Sequence, residues 1–244
     1  AGNFATIQQE ISLVDTTVPV IIVPSDIMTE AVSNDSNIVD IGFATGSDSI
    51  QLAEITNDAP EVFPLGETIV TWTATDNAGN SVSETQLVTV VDTTAPSISQ
   101  LEDIVADATS STSNTIELIS PIADDIISGI IIDNDAPNVF PFGETIVTWT
   151  VEDESGNVSY IDHKVIIVDN SPPELQTSAD VIFDATSLES IIEIESPQIS
   201  DIIDVRPEIT NNAPEVFPLG ETIVTWTATD NAGNSVSETQ LVTV

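Results

Sequence analysis

One stretch, Glu67 to Asn80 (ETIVTWTATDNAGN), constrains this chain more than any other. It returns as ETIVTWTVEDESGN at Glu144 to Asn157 and unchanged at Glu221 to Asn234. Trp72, Trp149 and Trp226 are all the tryptophan present, and successive ones stand 77 residues apart. A fixed period of that length describes a tandem array in which each unit carries its own core, not one large globule. The register divides the chain into residues 15–91, 92–168 and 169–244, preceded by residues 1–14. Units this small are marginal on their own, and without cysteine no disulfide can staple them.

Within a unit the pattern is that of strands. Thr68 to Thr75 alternates, so Val70, Trp72 and Ala74 share one face and Thr71, Thr73 and Thr75 the other. The core then holds the tryptophan. PVIIVP, DIMTEA, NIVDIGF and SIQLAEI are short β-branched runs separated by Asn, Asp, Ser and Pro. Asp76 to Asn80 reads as a hairpin loop, with Gly79 or Asn80 suited to positive φ. No stretch has a helical period. Several short strands around a deep tryptophan predict an all-β chain of tandem immunoglobulin-like β-sandwiches.

The units open with DTTVP at Asp15, DTTAP at Asp92 and DNSPP at Asp169. Proline restricts itself and its predecessor, so these linkers read as short and stiff, making a rod of the array. Residues 1–14 match the end of a unit: Ala1-Gly2-Asn3 aligns with Ala78-Gly79-Asn80, and Ile11 to Val14 with Val88 to Val91. They read as the last strand of a preceding repeat, or as a donor strand completing a domain in another subunit of a filament.

Charge excludes some partners. Against 41 acidic residues stand only Lys164 and Arg206, for a net charge of −39. Neutralising phosphates takes clusters of Lys and Arg, so nucleic acid and anionic membranes are not expected partners. The apolar runs are too short to insert in a bilayer.

The opening DxTxP, the internal NDAPEVFPLGETIVTWTATDNAGN and the closing TVVD together resemble the hyalin repeat (HYR), across all three units. The resemblance implies an immunoglobulin-like module of extracellular, cell-surface proteins, adhesive or structural and without catalysis. The cysteines of animal members are missing, which resembles prokaryotic versions.

Related bacterial and archaeal surface arrays often bind calcium between domains, so the resemblance also implies a metal. In steps of 77, five columns stay acidic: Asp15, Asp92, Asp169; Asp26, Asp103, Asp180; Glu30, Asp107, Asp184; Glu67, Glu144, Glu221; and Asp76, Asp153, Asp230. Calcium takes six to eight oxygen ligands. In this topology Glu67, and with it Glu30, is expected to converge with linker Asp92 and with Asp153, Glu154 or Asn157 of the next unit. The following junction would gather Glu144, Asp107, Asp169, Asp230 and Asn234, with Asp15, Asp76 and Glu221 as the remaining candidates. Three plainer roles stand beside this one. Asp76, Asp153 and Asp230 can cap their own turns, Asp26 and Glu30 can guard a strand edge, and the whole acidic surface can be a salt-adapted layer.

Catalysis is not expected. His163 is the only histidine, and its counterparts in the other units are Gln86 and Gln240; neither a repeated nucleophile–base pair nor a zinc set is present. The expected molecule is a piece of an extracellular stalk, filament or surface layer whose partners are neighbouring repeats or subunits of the same protein. Surface glycans are the alternative partner, for an adhesin.

Overall fold

A computed structural model describes residues 2–185 and 187–244. The first residue of the N-terminal segment and one residue of the third repeat, Thr186, lie outside the described residues. All regular structure among the described residues is β. In the first repeat the long strands Gly66–Asp76 and Ser81–Val91 form a hairpin, in register from Gly66 opposite Val90 to Thr75 opposite Ser81. Ile27–Glu30 adds parallel to the second strand and Leu52–Asn57 antiparallel to the first, completing a four-stranded sheet. A two-stranded sheet, Val20–Ile22 with Thr45–Ser47, faces it.

The same strand order recurs in the other repeats. In the third, Glu221–Thr229 and Ser235–Thr243 form the hairpin, flanked by Val181–Ile182 and Glu208–Asn211. This is the expected sandwich, with the tryptophan on the inner face. Val70, Trp72 and Ala74 are buried, as are Val88 and Val90 of the neighbouring strand. Apolar burial of this kind supplies roughly 25 cal/mol per Å². Each repeat has its own cluster, around Trp72, Trp149 and Trp226 respectively.

One segment departs from expectation. Asn37 to Phe43 forms no strand: its one β-bridge is Asn37 with Phe63, while Val39 and Ile41 pack on the core. The Asn37 side chain replaces the ladder: Oδ1 accepts from the Val32 and Ser33 N–H groups, and Nδ2 donates to the Ser33 and Phe63 carbonyls. A buried amide that closes a turn in this way competes with sheet pairing for the same backbone groups. Asn114 repeats the arrangement in the second unit.

By packing the chain falls into two compact units. One comprises Ala1–Ser97, Ala123–Ile131 and Val151–Ser159; the other comprises Ile98–Ile122, Ile132–Thr150 and Tyr160–Val244. Inside the first, Ile127 of the second repeat is 6% exposed and belongs to the cluster around Trp72. Inside the second, Ile203 of the third repeat packs on the cluster around Trp149. The described residues 2–14 form no strand, and Phe4, Ile7, Ile11 and Leu13 are exposed.

Candidate metal centres at the linker poles

The loop between the long strands fixes the first candidate ligand. Asp76 Oδ1 accepts the backbone N–H of Ala78 and Asn80, both at 2.8 Å, while Oδ2 accepts Asn80 Nδ2 at 2.8 Å. Gly79 makes the turn possible with φ of 92°, a conformation an L side chain resists. Asn80 Nδ2 also donates to the backbone oxygen of Asp15 at 3.2 Å, tying the hairpin to the entering linker. Asn157 does the same between Asp153 and Asp92, and Asn234 between Asp230 and Asp169.

These bonds decide how the loop carboxyls titrate. Asp76, Asp153 and Asp230 are almost fully buried. Desolvation, the largest single effect, pushes each up, but the side-chain and backbone donors of the loop together outweigh it and hold each below the ordinary aspartate value. The loop therefore keeps a buried carboxylate ionised.

The linker supplies the second candidate ligand. Asp15, Asp92 and Asp169 each accept, through Oδ1, the N–H two residues on, at 3.0–3.2 Å. Asp92 Oδ2 also accepts the Ser155 hydroxyl at 2.9 Å.

A third carboxylate completes each pole, and it was not among the sequence candidates. Asp48, Asp125 and Asp201 come within reach, so that one oxygen from each of Asp15, Asp48 and Asp76 lies within 4.8 Å of the others. Asp92, Asp125 and Asp153 form the same cluster, as do Asp169, Asp201 and Asp230. The third residue is held identically each time: Oδ1 accepts the N–H of Ile50, Ile127 or Ile203 at 2.8 Å. Asp201 stands 76 residues after Asp125, not 77, so a strict period pairs Asp125 with Ile202 and hides the column. The visible signal is the shared Asp-x-Ile in Asp48-Ser49-Ile50, Asp125-Ile126-Ile127 and Asp201-Ile202-Ile203.

The other candidates lie elsewhere. Glu67 sits at the far end of its strand, opposite Thr89, and is exposed. Glu221 occupies the same place opposite Thr243, and Glu144 pairs with Lys164 at 3.1 Å. None of the three joins a carboxylate cluster among the described residues. Glu30 reaches the following linker, accepting from Thr93 N, Thr93 Oγ1 and Thr94 Oγ1. Asp107 likewise accepts Asn170 Nδ2 at 2.6 Å. Asp26, Asp103 and Asp180 bond the N–H of Leu87, Lys164 and Leu241, just before parallel pairing begins along the last strand.

The clusters fit a hard cation. Ligands about 2.3–2.6 Å from one calcium stand at most about 5 Å apart, and the donors are carboxylate oxygens throughout. Asp48 Oδ2 is buried with no hydrogen-bond donor among the described residues. At the third pole Asp204 adds a further carboxyl, bonded through Oδ2 to Asn231 N. There Asp169 is pushed up, first by desolvation and then by the charges of Asp201, Asp230 and Asp204. Charge crowded in this way is relieved by a bound cation.

Residues 14–90 and 168–244 match the HYR domain. Over its whole length the chain is 30% identical to hyalin of Lytechinus variegatus, spanning 50% of that protein. It is also 30% identical to hyalin of Strongylocentrotus purpuratus, over 98% of this chain and 22% of that one. The chain therefore spans half the length, or less, of these curated relatives. Both are animal proteins, so the likeness to prokaryotic versions gains no support from them. A crystal structure of Drosophila N-cadherin aligns over 92% of this chain and 75% of that one, at 13% identity and a TM-score of 0.35, a likeness too slight to bear on fold or ligand. The chain belongs to the HYR domain family.

Proposed function

We propose that the chain is a stretch of an extracellular structural and adhesive array in which calcium, held at the linker pole of each repeat, fixes every junction. The supporting observation is that the aspartate of each linker meets one aspartate from the hairpin loop and one from the Asp-x-Ile loop, three times over. An ion held there would clamp the linker to the repeat it enters, removing the freedom a flexible tether would keep. The residues that would hold it are Asp15, Asp48 and Asp76; Asp92, Asp125 and Asp153; and Asp169, Asp201 and Asp230, with Asp204 beside the last set. The role is non-catalytic. The one histidine is 3% exposed and lies beside Trp149, where it serves the core. Partners in this reading are the neighbouring repeats, and the setting is extracellular, as membership of the family supports.

Thermal unfolding of the whole chain tests the proposal. Calcium in the millimolar range should raise the unfolding temperature and slow proteolysis at the linkers, with chelator reversing both, because an ion that binds only the folded state stabilises it. Sodium chloride of matched ionic strength giving the same gain would mark the acidic surface as a salt-adapted layer and remove the calcium sites.

A further inference from the structure

The pattern Asn-x-Ser, which accepts an N-linked sugar, occurs twice, as Asn34-Asp35-Ser36 and as Asn157-Val158-Ser159. The fold treats the two in opposite ways. Asn157 is half-buried, and its Nδ2, with two hydrogens to give, bonds Asp153 Oδ2 at 2.8 Å and the Asp92 backbone oxygen at 3.2 Å. Ser159 is engaged as well, its hydroxyl donating to the Pro96 carbonyl at 2.6 Å. Asn34, Asp35 and Ser36 are all exposed, in the loop between strand Ile27–Glu30 and the bridge at Asn37. Here the fold grips the backbone. Asn37 Oδ1 accepts the Val32 and Ser33 N–H groups, and Leu65 N donates to the Asn34 carbonyl at 3.0 Å. Ile127 of the second repeat packs in one cluster with Ala31, so Asn34 is exposed with its neighbouring repeat in place. Its counterparts are Ser111 and Leu188, so this position carries the pattern in one repeat of three.

We propose that the folded chain carries an N-linked oligosaccharide on Asn34 and none on Asn157. The donor is an oligosaccharide joined through its anomeric carbon to a lipid phosphate. A bond forms from Asn34 Nδ2 to that carbon, the bond from the carbon to the phosphate oxygen breaks, the lipid phosphate leaves, and Nδ2 gives up one proton. At Asn34 the loop loses nothing by this, because its backbone bonds hold it. At Asn157 one of the two hydrogens would go, and with it either the bond to Asp153 or the tie to the linker. A bulky, solubilising sugar belongs on surface of the first kind. The proposal rests on the extracellular setting proposed above and not on calcium.

The test is mass spectrometry of the folded chain recovered from its source cells and their surroundings, digested at acidic residues. Peptides spanning Asn34 should carry the added mass of an oligosaccharide, and peptides spanning Asn157 none. A bare Asn34 on extracellular chain overturns the proposal and leaves the setting standing, whereas unmodified chain found only inside the cells overturns both. Sugar on Asn157 of the folded chain also overturns it. Two variants give the second measurement. Asn34→Gln, at an exposed position, should abolish the added mass without shifting the unfolding temperature, while Asn157→Gln should speed proteolysis at residues 92–96 several-fold. Added mass that survives Asn34→Gln overturns the proposal, as does proteolysis unchanged in Asn157→Gln, which would leave that amide free to take a sugar.

Discussion

Trp149 Nε1 has no hydrogen-bond acceptor among the described residues because His163 stands where a glutamine stands in the other two repeats. Trp72 Nε1 donates to Gln86 Oε1 at 3.1 Å, and Trp226 Nε1 to Gln240 Oε1 at 3.2 Å. The other end of each glutamine is used as well. Gln86 Nε2 donates to the Ser25 and Ile41 carbonyls, and Gln240 Nε2 to that of Ala179. His163 keeps only a long contact, Nδ1 at 3.4 Å from the Glu102 carbonyl, and its Nε2 is also unpartnered among the described residues. An unmet buried donor costs about 1–3 kcal/mol. Replacing His163 by Gln should therefore stabilise the chain by about that amount, read from denaturant unfolding of the second repeat. Gln86→His should cost a similar amount in the first repeat.

The burial of Ile127 leads to a second expectation. Ile127→Ala should destabilise by about 2–5 kcal/mol, the range for truncating a buried aliphatic side chain. Trp72 fluorescence should report the loss, because Ile127 and Trp72 share a cluster although they belong to different repeats. Ile50→Ala, at an exposed position, should change stability by less than about 0.5 kcal/mol.

At the third pole the effect of a substitution should reverse with calcium. Desolvation and the neighbouring carboxylates raise Asp169, so ionising it in the folded chain opposes folding. Without calcium, Asp169→Asn should raise the unfolding temperature. With calcium saturating, the same variant should fall below the unsubstituted chain, since it has lost a ligand. A change of the same sign in both conditions would separate Asp169 from any ion.

The acid limb of stability should belong to the hairpin loops. Asp76, Asp153 and Asp230 titrate below their ordinary values when folded. A carboxyl lowered on folding contributes stability that is fully present above its unfolded pKa and is lost as pH falls through its folded one. Stability should thus decline steeply in acid. Substituting all three by Asn should flatten that decline and lower stability at neutral pH, both measurable by denaturant unfolding across pH.

The hairpin was legible in the sequence because its alternation is strict: Val70, Trp72 and Ala74 point inward along one strand, and Val88 and Val90 along the next. Asn37 to Phe43 misled because a β-branched run reads as a strand whether or not a buried amide takes over its hydrogen bonds. At the candidate site, Asp15, Asp76 and their counterparts could be found from fixed acidic columns. The columns of Glu67 and Glu30 looked equally regular, yet one ends a strand away from the clusters and the other caps the next linker. Periodicity marks a place in the fold without saying which columns meet. Asp48, Asp125 and Asp201 escaped for the opposite reason: they meet the others in space, but one residue of slippage in the third repeat broke their column.

Calorimetric titration of the chain with calcium, alongside Asp92→Ala, tests the central claim most directly. The account predicts one ion for each of the three carboxylate clusters, and one fewer in the variant, with the junction after the first repeat loosened. An absence of binding at millimolar calcium, or a stoichiometry unchanged by Asp92→Ala, would contradict it.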